Sequence, residues 1–227
     1  MDSFWTPLWL SVRVAAAAVV LSLPIGVLLG RLLARREFWG KSLVETLVNL
    51  PLALPPVVTG LLLLYAFGRR GWIGSHLNAW FGWEIALTWK AAVLSAAIMG
   101  FPLLVRSCRL AFAAYDPRLV QVARSLGASP VDAFFRVSLP LARDGVIAGA
   151  VLAFARGLGE FGATLMFAGI TPQTRTMAVE IYLLANQPGD LPERQMWMLA
   201  GASIATSFAA LAVGEFLERR GRRHESA

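Results

Sequence analysis

Arg156 and Glu160 stand four residues apart in the run Phe154-Ala-Arg-Gly-Leu-Gly-Glu-Phe-Gly-Ala-Thr164. On a helix that spacing puts both charges on one face. Their neighbours are largely apolar, so a guanidinium and a carboxylate must meet in a poorly hydrated setting. An ionised side chain at the centre of a bilayer costs at least ~2.5 kcal/mol, so such a pair is seldom left facing lipid. Two uses are open. Arg156 can lend positive potential to a path for anions, with Glu160 holding it in place and Thr164 closing the same run. Alternatively, the pair bridges helices that Gly157, Gly159 and Gly162 allow to approach closely. Covalent chemistry is harder to find. The sequence has two histidines, His76 and His224, and one cysteine, Cys108. These make neither a metal set nor an internal disulfide. No intramembrane histidine stands ready to activate Ser95, Ser203 or Ser207. The phosphate-cradling pattern G-x-x-x-x-G-K-[ST] is absent. The chain is read as no enzyme, with no metal and no cofactor of its own.

A second polar stretch, residues 115–141, interrupts the apolar chain. Asp116 and Pro117 read as an N-cap and a first helical residue. The spacing predicts a short helix over 117–126. Gly127 then sits where a left-handed C-terminal residue is wanted. Ser129 repeats the start signal, with Asp132 placed to complete a capping box. A second short helix is expected through Phe134, Phe135 and Val137, ending at Pro140. It would present two adjacent phenylalanines to water, the kind of surface that meets a partner.

The elements that must position these residues are membrane spans. Of 227 residues, 57% are hydrophobic and 15% charged, with mean hydropathy +0.61. Soluble domains carry roughly 25% charged residues. The fold class expected is an all-α polytopic membrane protein, one domain over 1–227, with about five spans at 8–29, 43–67, 85–105, 145–170 and 197–216. The second span contains Pro51, Pro55 and Pro56, followed by Thr59 and Gly60. Prolines remove amides from the helical ladder. Freed carbonyls at membrane depth are tolerated only where protein or a watery cavity covers them. Pro55, Pro56 and Thr59 are therefore either lining a pore or marking a simple kink. The segment 68–84 is rich in Trp and Gly, as at an interface, and Arg13 and Lys90 are placed to reach the membrane surface. The apolar piece 176–185 is too short to cross. It is expected to be a short interfacial or re-entrant helix packed over the mouth of the path. The first twelve residues hold no Lys or Arg, so the basic start of a secretory signal is missing.

The formal charge of +7 would point to nucleic acid in a soluble chain. Here it follows the loops. With the N-terminus outside, fourteen basic residues fall on the inner side: Arg31, Arg35, Arg36 and Lys41; Arg106, Arg109, Arg118, Arg124, Arg136 and Arg143; Arg219, Arg220, Arg222 and Arg223. Four, Arg69, Arg70, Arg175 and Arg194, fall outside. Inner loops collect Lys and Arg, so the stretch 115–141 and the C-terminus are expected in the cytoplasm.

That stretch resembles the coupling loop of ABC-importer permeases. Their pattern is Glu-Ala-Ala, then Gly, then a hydrophobic residue shortly before Leu-Pro. It appears here as Gln121-Val122-Ala123, Gly127, Val137 and Leu139-Pro140. Gln replaces Glu and keeps its reach without its charge. Residues 54–60, Gly68-Arg-Arg-Gly71, the run 154–164 and Thr174-Arg-Thr176 extend the likeness. Together they are similar to the molybdate permeases, whose close relatives carry sulfate or tungstate. The resemblance implies the type I importer fold and a homodimer in a bacterial inner membrane. It implies two cytoplasmic ATP-binding subunits that hold ATP and Mg, docked on Gln121, Ala123, Gly127, Phe134, Phe135, Leu139 and Pro140. It also implies a periplasmic or lipid-anchored molybdate-binding protein. An ion-coupled secondary carrier is the alternative from another class, but it would have no use for the helix–glycine–helix loop.

Overall fold

The structure is a computed structural model that describes the backbone of residues 2–225 and the side chains of residues 4–216. Among the described residues every regular element is helical. These are α1 (Asp2–Arg35), α2 (Lys41–Ala53), α3 (Pro56–Phe67), α4 (Gly74–Phe81), α5 (Trp89–Ala114), α6 (Arg118–Ser125), α7 (Pro130–Ala133), a π-helical turn at Phe134–Ser138, α8 (Leu139–Leu158), α9 (Gly162–Ala168), α10 (Met177–Ala185) and α11 (Asp190–Glu225).

Among the described residues, four stretches are long and apolar enough to cross a membrane: Phe4–Arg35, Trp89–Ala114, Pro130–Leu158 and Asp190–Phe216. The pair α2 and α3 makes a fifth if counted as one broken span. The expectation of about five spans holds, with altered ends. The first helix runs past 8–29 at both ends. The third begins at Trp89 rather than 85, because the Thr88 hydroxyl accepts from the Lys90 amide and caps it there. It continues to Ala114, beyond the expected end at 105. The last starts at Asp190, ahead of 197. The side chains of Arg219, Arg220, Arg222 and Arg223 lie outside the described residues. The loop 68–84 folds partly into α4.

Helix α5 is the axis. Ala92, Ala96, Gly100, Leu104, Cys108 and Phe112 recur every fourth residue and are all buried, which makes one stripe along the helix. Its small members let α1 and α8 lie against it at close range. A Cβ on Gly30 of α1 would stand 2.5 Å from the Cys108 Cβ. A Cβ on Gly149 of α8 would stand 2.8 Å from the Ser107 Cβ. Dispersion and close backbone approach, rather than water exclusion, hold such helices together in lipid.

Two expected spans are broken. The run 43–67 turns by 113° between α2 and α3. Leu54 there is extended, with φ −80° and ψ 144°, as the residue before a proline must be. The run 145–170 starts earlier, at Leu139, and stops at Leu158. Gly159, Glu160 and Phe161 then separate it from α9. The helix α10 corresponds to the expected piece at 176–185. It is packed rather than lying loose at a surface. Met177, Val179 and Leu184 are buried, and the Met177 amide donates to the buried Ser11 hydroxyl of α1 at 2.7 Å.

The two short halves, α3 and α9, pack on each other through glycines. A Cβ on Gly60 would lie 2.6 Å from the Ala163 carbonyl oxygen, and backbone cannot yield cheaply. A Cβ on Gly159 would meet nothing within 4 Å. Gly60→Ala should therefore destabilise by about 1–3 kcal/mol through overpacking. Gly159→Ala should leave stability unchanged. Thermal unfolding of the two variants in the same detergent checks the contrast; equal melting temperatures would refute it.

Candidate functional site

The stretch 115–141 forms a corner, and local chemistry accounts for it. The Asp116 carboxylate accepts from the Arg118 amide at 2.9 Å, satisfying a free donor at the start of α6. At the other end, the Gly127 amide donates to the Arg124 carbonyl and the Ala128 amide to the Ala123 carbonyl, each at 3.1 Å. That double closure is a Schellman motif, and it requires a left-handed residue at Gly127, where φ is +94°. Ala123 thus contributes its carbonyl to the corner. The Ser129 hydroxyl accepts from the Asp132 amide at 3.1 Å and donates to the Asp132 carboxylate at 2.5 Å. The corner was therefore legible in outline.

Its second helix differs from expectation. It does not end at Pro140. A single turn of α7 opens into the π-turn, in which the Leu139 amide donates to the Phe134 carbonyl, and the chain runs on into α8. Pro140 has no amide and its ring crowds the carbonyl four residues back. The wider π-turn just ahead of it accommodates both, so Pro140 opens α8 instead of closing a helix.

The two phenylalanines also part company. Phe135 is 59% exposed, as expected. Phe134 is only 8% exposed and faces inward, which corrects the expectation that it projects into water. Its ring stacks on Phe112 of α5 at 6.4 Å and lies under the Arg31 guanidinium of α1 at 4.7 Å. Successive residues on a helix point about 100° apart, so both could not face one way. The exposed apolar face instead consists of Leu119, Val122, Leu126, Val131 and Phe135. The first three recur at i, i+3 and i+7 through α6 and its C-cap, a spacing that is present in the sequence. Gln121 and Pro140 are exposed, and Leu139 is half-buried.

The second cluster lies where the two broken spans meet. Pro55 precedes α3 and Pro56 opens it, both exposed. A Cβ on Gly162, at the start of α9, would stand 2.9 Å from the Pro56 Cβ. Thr59 and Thr164 are buried on the facing halves, and the Thr59 hydroxyl has no hydrogen-bond partner. Glu160 sits in the break, 2% exposed. One of its oxygens accepts from the Ala163 amide at 2.9 Å, capping α9. The other stands 2.7 Å from an Arg156 guanidinium nitrogen. The pair is close, but its N–H vectors are not aligned for a hydrogen bond. Arg156 is 27% exposed. The carboxylate is thus tied to the helix break while its partner stays partly exposed. Gly157 fits against Ala15 and Ala96, whereas Gly159 faces open space.

Packed helices with paired breaks and a projecting helical corner define a membrane transport subunit. Residues 22–223 match the family described as the inner membrane component of binding-protein-dependent transport systems, and the chain belongs to that family. It is 47% identical over 222 residues to the molybdenum transport system permease protein ModB of Escherichia coli K12, covering 97% of this chain and 96% of that one. It is 36% identical over 182 residues to the molybdate/tungstate transport system permease protein WtpB of Pyrococcus abyssi, covering 78% and 68%. Among solved structures it resembles the MetNI methionine ABC transporter in an inward-facing conformation, with TM-score 0.67 and 18% identity over 96% of this chain and 94% of that one. It also resembles a bacterial ABC transporter that imports alginate, with TM-score 0.68 and 17% identity over 98% and 80%. The fold is the all-helical one of type I ABC importer permeases.

A Cβ on Gly127 would meet nothing within 4 Å, so only its backbone conformation resists substitution. Gly127→Val should weaken the corner by ~1 kcal/mol, or about fivefold faster amide exchange across 118–133. Gly127→Asn should be milder. Unchanged exchange in the valine variant, followed by mass spectrometry, would show that the positive φ is not needed.

Proposed function

We propose that this chain is the translocation subunit of an ATP-driven importer for molybdate, working by alternating access. The observation that carries this reading is the projecting α6–α7 corner. It exposes five apolar side chains on a chain that has no phosphate-binding loop of its own. A cytoplasmic ATP-binding subunit that holds ATP and Mg is the partner such a face needs. Gln121, Ala123, Gly127, Leu139 and Pro140 shape that docking element, and Phe135 is its central contact. Phe134 serves it from behind, by fixing the corner to α5 and α1. The distribution of Lys and Arg supports a cytoplasmic corner and C-terminus with the N-terminus outside. A binding protein would deliver cargo to the outer face, and a second copy of the chain would complete the path. The exposed apolar sides of α1, α2 and α11 are available to that copy or to lipid.

Molybdate as cargo is supported by the near-full-length relatives named for molybdenum transport. Tungstate is the second reading, favoured by the Pyrococcus relative. The test is reconstitution of the full complex in proteoliposomes. ATP-dependent molybdate uptake that tungstate inhibits and sulfate does not is the expected result. Uptake without the ATP-binding subunit, or preference for sulfate, would overturn the reading.

Two substitutions separate docking from packing. Phe135→Ala should release the ATP-binding subunit in a pull-down while the permease keeps its melting temperature. Phe134→Ala should cost about 3–5 kcal/mol of the permease's own stability by opening a cavity. Full co-purification of Phe135→Ala would exclude that ring as a docking contact.

For the path we infer that the edge of Arg156 left open by Glu160 faces the anion, near Pro55, Pro56, Thr59 and Thr164. Arg156→Gln should lower uptake with assembly intact. Failure of the variant to assemble would assign the pair to structure alone.

A further inference from the structure

A cavity of about 750 Å³ lies between the Arg35 end of α1 and the α6–α7 corner, away from the break that holds Arg156. Four arginines line it: Arg31, Arg35, Arg36 and Arg124. None of its lining residues is acidic. Among the described residues, no carboxylate stands within ion-pair distance of these four. The nearby acids are engaged elsewhere. Glu37 pairs with Lys41 at 2.6 Å. Asp116 caps α6, and Asp132 is bound by Ser129 and lies 3.8 Å from Arg136. Two of the arginines are held in place. Arg31 lies over the Phe134 ring, and Arg35 lies over Tyr115 at 4.2 Å and donates to its carbonyl at 2.7 Å. Arg36 and Arg124 are exposed.

Forked guanidinium donors suit an oxyanion, which accepts several hydrogen bonds at once.

We propose that this cavity binds a tetrahedral oxyanion of the phosphate class, with Arg31 and Arg35 as its fixed wall and Arg36 and Arg124 as its closing arms. The space far exceeds a single inorganic ion, and Leu28 and Leu32 give it an apolar floor. These features suit the phosphodiester of an anionic lipid headgroup, and a free oxyanion offers the same chemistry. The proposal does not depend on the identity of the cargo.

The test uses the full chain in complex with its ATP-binding subunit. Native mass spectrometry counts phosphatidylglycerol retained after delipidation and exchange into phosphatidylcholine nanodiscs doped with it. Inorganic phosphate and molybdate are titrated separately, by thermal shift, in phosphatidylcholine alone. The double variant Arg36→Gln, Arg124→Gln changes only exposed side chains, so folding should survive. Arg118→Gln on the same helix, outside the cavity, is the control. Retention of phosphatidylglycerol should fall about tenfold in the double variant and stay in the control. A lost phosphate or molybdate shift with unchanged lipid retention would assign the site to a free oxyanion. Equal retention and equal shifts in wild type and double variant would overturn the proposal. So would loss of the ATP-binding subunit with both probes unaffected, since the arginines would then belong to that interface.

Discussion

A peptide group inside a bilayer must find its hydrogen bond within the protein, and the architecture follows from how this chain breaks two spans without leaving the freed groups bare. The breaks at Leu54–Pro55 and Gly159–Phe161 are placed side by side. Glycines at 60 and 162 allow α3 and α9 to close on one another until a Cβ would touch backbone. Glu160 then serves as the cap of α9 through the Ala163 amide. A helix bundle of unbroken spans would have no such irregular seam. Non-helical backbone is tolerated in a membrane where it is buried in protein or lines a watery route, and the close fit of α3 on α9 buries part of the seam.

One ring carries a close link between the corner and this core. Phe134 is wedged between Phe112 of α5 and Arg31 of α1, while Phe135 beside it faces outward. The two rings touch, with centroids 4.9 Å apart and nearly perpendicular. A partner seated on Phe135 would therefore press on a residue already in the core. The π-turn matters to the same linkage. It lets α7 continue into α8 across Pro140, so the corner and the break at Gly159 lie at opposite ends of one helical run. Displacement at the first can reach the second without passing through a flexible loop.

How much of this was readable depended on the range of the interactions. Asp116, Gly127, Ser129 and Asp132 all act on partners within five residues of chain, and the sequence alone placed them. Pro55 and Pro56 break a helix by their own covalent structure, so the first seam was visible too. The second was not. Gly159, Glu160 and Phe161 contain no proline, and the break rests on a buried carboxylate engaging both Arg156 and the Ala163 amide. A helical spacing of four residues correctly paired Arg156 with Glu160 but wrongly implied a continuous helix. The inward turn of Phe134 was equally hidden. Two adjacent aromatics must diverge on a helix, but which one meets the core depends on where α1 and α5 pass.

The arginines of this chain divide into two electrostatic kinds, and the division bears on transport. Arg156 lies in a span, where an unpaired charge would cost at least ~2.5 kcal/mol. Glu160, nearly fully buried, offsets that cost and cancels most of the attraction Arg156 could exert on an anion. The four arginines around the cavity at the end of α1 have no such offset among the described residues. They sit near the edge of the bundle, where hydration makes unpaired charge tolerable, and they are arranged to hold an anion. The same residue type thus stands paired with a carboxylate in the span and without one beside the corner among the described residues. The difference lies in where the carboxylates are engaged: Glu160 faces Arg156 at the break, whereas Asp116 and Asp132 at the corner are taken up by the Arg118 amide and by Ser129.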